Sequence, residues 1–219
     1  MTVVAPPRAE RLSLAGPAGA LQALIETPVN LTPGPVHAFA VVCHPHPLHG
    51  GTMDNKVVYT VARTFEQLGA PAIRFNFRGV GSSAGSFDEA RGESEDALAV
   101  IAYGRQRWPG AALWLAGFSF GGAVAVRIAG SARPERLVAV APGITLVPVT
   151  EAAPPACPWL IVQGEDDEVV APAAVQGWAQ SLGPLAQLRM LPAAGHFFHG
   201  RLLELRAALL AFMPAPASP

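Results

Sequence analysis

The stretch Gly117-Phe118-Ser119-Phe120-Gly121 decides the fold that we predict for this chain. It stands between an apolar run at 112–117, typical of a buried strand, and a segment of helical character at 120–130. In that position the Gly-x-Ser-x-Gly pattern indicates a nucleophile elbow, a turn so tight that side chains two positions either side of the serine would collide. The strained backbone holds the serine oxygen above the sheet, at the positive end of a helix. Ser119 is therefore the candidate nucleophile, and the alternative is an ordinary glycine-rich turn with a capping serine.

Outward from this turn, short apolar runs alternate with helix-like segments. We predict parallel strands at 38–43, 71–77, 112–117, 136–141, 159–163 and 185–191, and helices at 55–68, 92–107, 120–130, 172–181 and 200–212. The strand runs are nearly continuous in apolar residues, as in strands covered on both faces. Weaker strand signals at 11–15 and 20–26 flank a Gly-Pro-Ala-Gly turn and predict an N-terminal antiparallel hairpin. The pattern indicates one α/β domain over 1–219, a mostly parallel sheet with helices on both faces.

Composition and charge exclude several classes of protein. Hydrophobic residues make up 51% of the 219 residues and charged residues 14%, which excludes a chain held open by charge. The formal net charge is −1 and the basic residues are scattered, so we expect neither nucleic-acid nor membrane partners. The first residues lack the apolar run of a secretory signal, and no apolar stretch is long enough to span a bilayer. Because Cys43 and Cys157 lie inside apolar runs, they are predicted to be buried free thiols, and the protein is predicted to be cytoplasmic.

A serine nucleophile needs a base, and the base needs an acid that orients it. The only histidines after the elbow are His196 and His199. His196 follows the last predicted strand, where a loop can return an imidazole over the sheet, and the alternative is an exposed loop histidine. The acid is expected in the run 165–168, because a carboxylate just past a strand's carboxyl end faces the same crevice as the serine. Physical reasoning leaves its four carboxylates open; Asp167 is the choice and Asp166 the runner-up, and the alternative is a solvated acidic turn.

The whole chain resembles the α/β-hydrolase superfamily, and more narrowly its small bacterial members that lack a lid. The resemblance rests on His44-Pro-His-Pro-Leu-His-Gly-Gly-Thr-Met-Asp-Asn-Lys56, Arg74-Phe-Asn-Phe-Arg-Gly-Val-Gly-Ser82, Gly117-Phe-Ser-Phe-Gly-Gly122, Gln163-Gly-Glu-Asp-Asp-Glu-Val-Val170 and Gly195-His-Phe-Phe-His-Gly-Arg201. In the superfamily the acid stands three residues after a glycine, which implies Asp167 here. A Gly-His pair before the last helix likewise implies His196 as the base. The order Ser119, Asp167, His196 is the order of α/β-hydrolase triads.

The histidine-rich turn at 44–51 has two interpretations. Four side chains of metal-binding type lie within 43–49, but their spacing matches no zinc pattern and the prolines restrict the backbone, so no metal is expected. The preferred interpretation is one half of an oxyanion hole, whose other half is the backbone N–H of Phe120. Since the two prolines of the turn have no N–H to donate, His46 is the better donor and Leu48 the second choice.

The hypothesis is a serine hydrolase that cleaves a carboxylic ester or thioester through an acyl-enzyme, without a metal or organic cofactor. Two rivals stand beside it: a noncatalytic binding protein on the same fold, and an acyltransferase that uses the same triad. Geometry distinguishes an enzyme from a binding protein, because a catalytic His196 must reach both Ser119 and a carboxylate of 165–168.

Substrate size is inferred from the connection at 142–156. It is too short and too rich in proline and glycine for a helical cap, which predicts an open, shallow site. Such a site favours small or water-soluble acyl substrates over long lipids. Of Phe197 and Phe198, beside the predicted base, one is expected to anchor its loop in the core.

Overall fold

An eight-stranded sheet forms the centre of the structure, a computed structural model that describes residues 8–28, 36–147, 149 and 155–214. The strands are β1 (Arg8–Gly16), β2 (Gly19–Thr27), β3 (Ala38–Cys43), β4 (Ala72–Phe75), β5 (Ala112–Phe118), β6 (Arg136–Val140), β7 (Trp159–Gly164) and β8 (Ala186–Leu191). Their order across the sheet is β1-β2-β4-β3-β5-β6-β7-β8. β1 and β2 form an antiparallel hairpin, β2 is antiparallel to β4, and the other neighbours are parallel. The predicted fold class, with its N-terminal hairpin, is confirmed.

Helices cover both faces of this sheet. They are α1 (Lys56–Gln67), α2 (Arg91–Arg107), α3 (Phe120–Ala132), α4 (Pro172–Gln180) and α5 (Leu202–Phe212). Successive side chains of β3 point to opposite faces of the sheet and so pack in two different cores. Phe39 and Val41 pack in the core beneath α2, α3 and α4. Ala40 and Val42 pack in the core beneath α1 and α5. A strand that is buried on both faces has no reason to alternate polar and apolar residues, which explains its continuous apolar sequence.

Two strands differ from their predicted form. β4 ends at Phe75 rather than at residue 77, because the chain leaves the ladder there and the N–H of Phe77 donates to the His44 ring instead. β8 lies at the edge of the sheet, and exposed residues alternate along it with half-buried ones until Leu191. The expectation that β8 is covered on both faces is therefore wrong. Gln187 and Arg189 are the exposed residues of that alternation.

The connection between β6 and β7 contains no helix or strand in its described residues 141–147, 149 and 155–158. Residues 148 and 150–154 of the connection, and residues 1–7 of the segment in which no secretory signal is expected, lie outside the described residues. Among the helices of the described ranges, none has the length and apolar character needed to cross a membrane.

Parallel pairing places the carboxyl ends of β3, β5, β7 and β8 along one edge of the sheet. At that edge Cys43, the last residue of β3, is paired with Gly117 of β5. The turn that follows β3 therefore lies beside the turn that carries Ser119. This juxtaposition brings the predicted oxyanion turn and the predicted nucleophile together.

Candidate active site

Ser119 occupies a strained turn between β5 and α3. Its backbone has φ 54° and ψ −119°, a conformation that residues with a side chain rarely adopt and that costs about 1–3 kcal/mol. A Cβ on Gly117 would lie 2.0 Å from the carbonyl oxygen of Gly121, and a Cβ on Gly121 would lie 2.3 Å from that of His44. Both glycines are thus required by the close approach of the backbone. The Ser119 N–H donates to the carbonyl of Val140 at 2.8 Å, which holds the turn against the neighbouring strand.

A continuous set of hydrogen bonds joins three side chains at the carboxyl edge of the sheet. His196 Nε2 lies 3.0 Å from Ser119 Oγ, and His196 Nδ1 lies 2.9 Å from Asp167 Oδ2 and 3.1 Å from Oδ1. The exposed fractions of Ser119, Asp167 and His196 are only 5%, 6% and 2%. Because a carboxylate only accepts hydrogen bonds, Nδ1 carries the proton and Nε2 presents a lone pair to the serine hydroxyl. The structure thus brings together the three residues that sequence reasoning selected from distant positions.

The carboxylates of the acidic run at 165–168 differ in their contacts and exposure. Asp167 Oδ1 accepts the N–H of Val169 at 2.9 Å and of Val170 at 2.7 Å. Burial raises the pKa of Asp167, but the hydrogen bond from His196 and those two backbone donors outweigh burial and leave it below its usual range. Asp166, the runner-up, has an exposed side chain.

Glu168 makes a contact in the site that sequence reasoning did not predict. Its carboxylate accepts the backbone N–H of His196 at 3.2 Å, while Asp167 binds the ring of the same histidine. Two neighbouring carboxylates therefore hold the backbone and the side chain of His196. The four adjacent carboxylates of the run were the only sign in the sequence of such a contact. Their order along the chain does not indicate which of them accepts a backbone N–H.

The predicted oxyanion donors lie on adjoining turns. His46 precedes a short 3-10 helix, Pro47–His49, and its ring lies 5.1 Å from the ring of Phe120. Its Nδ1 accepts the N–H of Leu48 at 3.2 Å, so the second-choice donor is already engaged. Within the described ranges, neither the N–H of His46 nor that of Phe120 has a hydrogen-bond acceptor.

The two phenylalanines next to His196 separate as expected. Phe198 is completely buried in the core beneath the loop, whereas Phe197 is 41% exposed. The ring of Phe197 lies 5.1 Å from the His196 ring. Phe198 therefore anchors the loop, and Phe197 remains partly exposed beside the imidazole.

Both ring nitrogens of His44, the first residue of the histidine-rich turn, make hydrogen bonds. Nδ1 donates to the carbonyl of Pro45 at 2.6 Å, and Nε2 accepts the N–H of Phe77 at 3.0 Å. Burial lowers the pKa of His44 to about 4, although the bond to Pro45 raises it in part. His44 is thus a neutral side chain that ties the start of the histidine-rich turn at 44–51 to the end of β4. In the described part of the chain, no group of three or more His, Cys, Asp and Glu side chains is arranged to hold a metal ion.

Acid is expected to destabilise the protein through His44. The unfolded chain binds a proton at this histidine near pH 6.5, whereas the folded chain does so only near pH 4. The contribution is therefore fully present above pH 6.5 and is lost as the pH falls towards 4, by about 3 kcal/mol in total. Urea unfolding of wild type and His44→Gln at neutral pH and near pH 4 measures it. The variant is expected to lose less stability on acidification.

His37, whose side chain is exposed, provides the matched control. His37→Gln is expected to lose as much stability as wild type over the same change of pH. An equal loss in His44→Gln and His37→Gln would contradict the role assigned to His44.

Comparison with known proteins identifies the family. Residues 40–157 match the Hydrolase_4 family, described as serine aminopeptidase, S33. The chain belongs to the α/β-hydrolase superfamily. This α/β-hydrolase is similar to XC6422 from Xanthomonas campestris, described as an α/β serine hydrolase without lid, at 40% identity and a TM-score of 0.91 over 100% of both chains.

Two further proteins are similar to this chain. An α/β serine hydrolase homologue from Coxiella burnetii is 40% identical, with a TM-score of 0.88 over 94% of this chain and 97% of that one. The Rickettsia prowazekii protein RP471 is 34% identical over 181 residues, which are 78% of this α/β-hydrolase and 76% of the relative. The resemblance to lidless α/β serine hydrolases that the motifs indicated is confirmed.

Proposed function

We propose that this α/β-hydrolase cleaves a carboxylic ester or thioester of a small or water-soluble substrate through an acyl-enzyme intermediate. The observation that carries the proposal is the unbroken contact from Ser119 Oγ through His196 to Asp167, at 3.0 and 2.9 Å. A hydroxyl that donates to a neutral imidazole, itself oriented by a buried carboxylate, is an activated nucleophile. A binding protein has no use for the strained backbone of Ser119, which counts against the noncatalytic alternative.

Acylation and deacylation use the same imidazole. Ser119 Oγ bonds to the carbonyl carbon while His196 Nε2 takes its proton, and the carbonyl electron pair moves to the oxygen. Asp167 stays ionised and stabilises the imidazolium. The bond to the leaving group then breaks, and Nε2–H protonates the departing oxygen or sulfur. Water next gives its proton to Nε2 and attacks the acyl carbon, and the carboxylic acid leaves as Ser119 regains its proton.

The developing oxyanion needs donors already in place. The backbone N–H groups of Phe120 and His46 are the proposed pair, since both are without an acceptor in the described ranges and the two residues lie side by side. Preorganised donors of this kind are worth about 10²–10³-fold in rate each. Leu48 is less suitable because its N–H is bonded to the His46 ring.

The side chains on the surrounding loops support an uncharged substrate. Leu48, Leu146 and Phe197 are large apolar side chains that are exposed on the loops after β3, β6 and β8. On the loop after β7, Glu165 and Asp166 have exposed side chains of negative charge. These exposed apolar side chains, together with the two negative charges, favour neutral acyl groups over anionic ones.

Fluorophosphonate labelling of the purified protein, followed by peptide mass spectrometry, tests the proposal. We expect a single adduct on Ser119, absent from Ser119→Ala and lost when the protein is heated before labelling. Ser181→Ala changes a serine of α4's carboxyl-terminal end and is expected to label as wild type does. An adduct that survives unfolding, or none on folded protein, would contradict an activated serine.

A substrate panel then separates the reaction classes. It contains short-chain and long-chain p-nitrophenyl esters, an acyl thioester and an aminoacyl p-nitroanilide. The short-chain esters or the thioester are expected to be turned over fastest. Cleavage of the anilide alone would replace the ester proposal with an aminopeptidase, the activity named in the description of the matching family.

A further inference from the structure

We propose that Gln163 is a positioning residue of this hydrolase, whose side-chain amide holds the carboxylate of Asp167 against His196. The inference rests on the proposed function, because it assigns a role in the same triad. Gln163 is the fifth residue of β7 and is completely buried. It is the one polar residue before the terminal glycine of that strand, where the other residues are apolar and buried.

The contacts of Asp167 show what the amide does. Oδ1 accepts the backbone N–H groups of Val169 and Val170, and Oδ2 faces His196 Nδ1 at 2.9 Å. Gln163 Nε2 donates to the same Oδ2 at 2.8 Å. The oxygen that binds the imidazole is therefore also held from behind by the amide, which fixes the plane of the carboxylate.

The orientation of the amide is set by this contact. Nε2 also lies within hydrogen-bond distance of the carbonyls of Val170, at 3.2 Å, and of Gly164, at 3.4 Å, so its two N–H groups both find acceptors. Turning the amide over would place its oxygen against the Asp167 carboxylate and against the Val170 carbonyl, three acceptors with no proton between them.

The other end of the amide is unfavourable for stability. Gln163 Oε1 is buried and has no hydrogen-bond partner in the part of the chain that the structure describes. A buried acceptor without a donor is unfavourable, and an apolar side chain at this place would avoid it. The amide thus costs stability at one end and supplies a donor to the triad at the other.

Gln163→Met keeps the length of the side chain and removes the donor. The Asp167 anion then lacks one of its hydrogen bonds, so its affinity for protons rises and its attraction for the imidazolium strengthens. Because the two groups titrate together, the acid limb of the pH profile of kcat/KM is expected to move to higher pH by about one unit. We expect kcat to fall about tenfold, because the carboxylate is no longer fixed in its plane and orients the imidazole less precisely, with little change in KM.

Gln22→Met is the matched control. Gln22 lies on β2, where its Oε1 accepts hydrogen bonds from Asn76 Nδ2 at 2.8 Å and from the N–H of Ser82 at 3.0 Å. The same substitution there removes hydrogen bonds without touching the triad. It is expected to lower the free energy of unfolding and to leave the pH profile in place, whereas Gln163→Met is expected to change the profile with little loss of stability.

Gln163→Glu tests rescue by a conservative variant. A protonated carboxyl group donates to Asp167 Oδ2 as the amide does, so this variant is expected to recover part of the kcat that Gln163→Met loses. Recovery is expected at the acid end of the active range and is lost as the new carboxyl group ionises beside Asp167.

The proton on His196 Nδ1 gives a readout that is independent of turnover. Its far-downfield NMR resonance, identified by its absence from His196→Ala, is expected to shift in Gln163→Met and not in Gln22→Met. If wild type shows the resonance but hydrolyses no ester, the proposed function fails while the role of Gln163 is still measured by the shift. A Gln163→Met enzyme with both resonance and pH profile unchanged would overturn the role of Gln163 alone.

Discussion

Turnover of an ester is expected to fall by about 10⁶-fold when Ser119 is replaced by alanine, and to fall no further when His196 is replaced as well. The two side chains act as one unit, because the Ser119 hydroxyl transfers its proton to His196 Nε2, which lies 3.0 Å away. If either side chain is removed, the other can no longer take part in this proton transfer. Measurement of kcat for Ser119→Ala, His196→Ala and the double variant gives the expected non-additive result.

His199→Ala controls for loss of an imidazole on the same loop. His199 is exposed and its ring lies 5.9 Å from Phe197, so its removal leaves the contacts of His196 intact. We expect its kcat to stay within about threefold of wild type, as for a surface substitution. If the fold-loss of kcat in the double variant, relative to wild type, equals the product of the two single fold-losses, Ser119 and His196 act independently, against the proposed mechanism.

Asp167→Asn is expected to lower kcat by about 10⁴-fold with little change in fold. Asparagine keeps the shape of the side chain, and its oxygen can still accept the N–H groups of Val169 and Val170. That leaves an NH₂ group facing His196 Nδ1 and the donor of Gln163. The imidazole must then turn to the tautomer that places its proton on Nε2, where it cannot accept the serine proton. Steady-state kinetics, with circular dichroism as the check on folding, measures the effect.

Asp166→Asn is the matched control, one residue away and identical in chemistry. The side chain of Asp166 is exposed, and kcat is expected to change by less than about threefold, as for a surface substitution. Equal losses in the two variants would mean that the general charge of the acidic run matters. A larger loss in Asp166→Asn would transfer the role of acid to the runner-up.

Much of the fold follows from local sequence. The alternation of short apolar runs with helical segments predicted the class of sheet, and the bounds of β3 were predicted to the residue. β8 was misjudged because Leu188, Met190 and Leu191 resemble a buried apolar run. The local sequence does not indicate that β8 is the last strand of the sheet. An edge is a property of the whole sheet.

The candidate site divides in the same way. Gly117 is constrained by the backbone of Gly121, four residues further on, whereas Gly121 is constrained by the backbone of Cys43 and His44 in the neighbouring turn. The short pattern was still enough to predict the strained turn at Ser119 that the structure shows. The catalytic roles of Ser119, Asp167 and His196 stay predictions until the variants above are measured.

The choice among the carboxylates of 165–168 depends on tertiary structure. Four adjacent acidic residues have the same chemistry, and they differ only in what each one meets once β7 and β8 are paired. Asp167 faces His196, 29 residues further along the chain, and Glu168 meets the backbone of the same residue. The donor on Gln163 and the hydrogen bond between His44 and Phe77 are likewise contacts that no local pattern encodes. Hydrogen bonds of this kind need distances and angles set by the packed sheet, whereas a tight turn needs only residues small enough to let the backbone close.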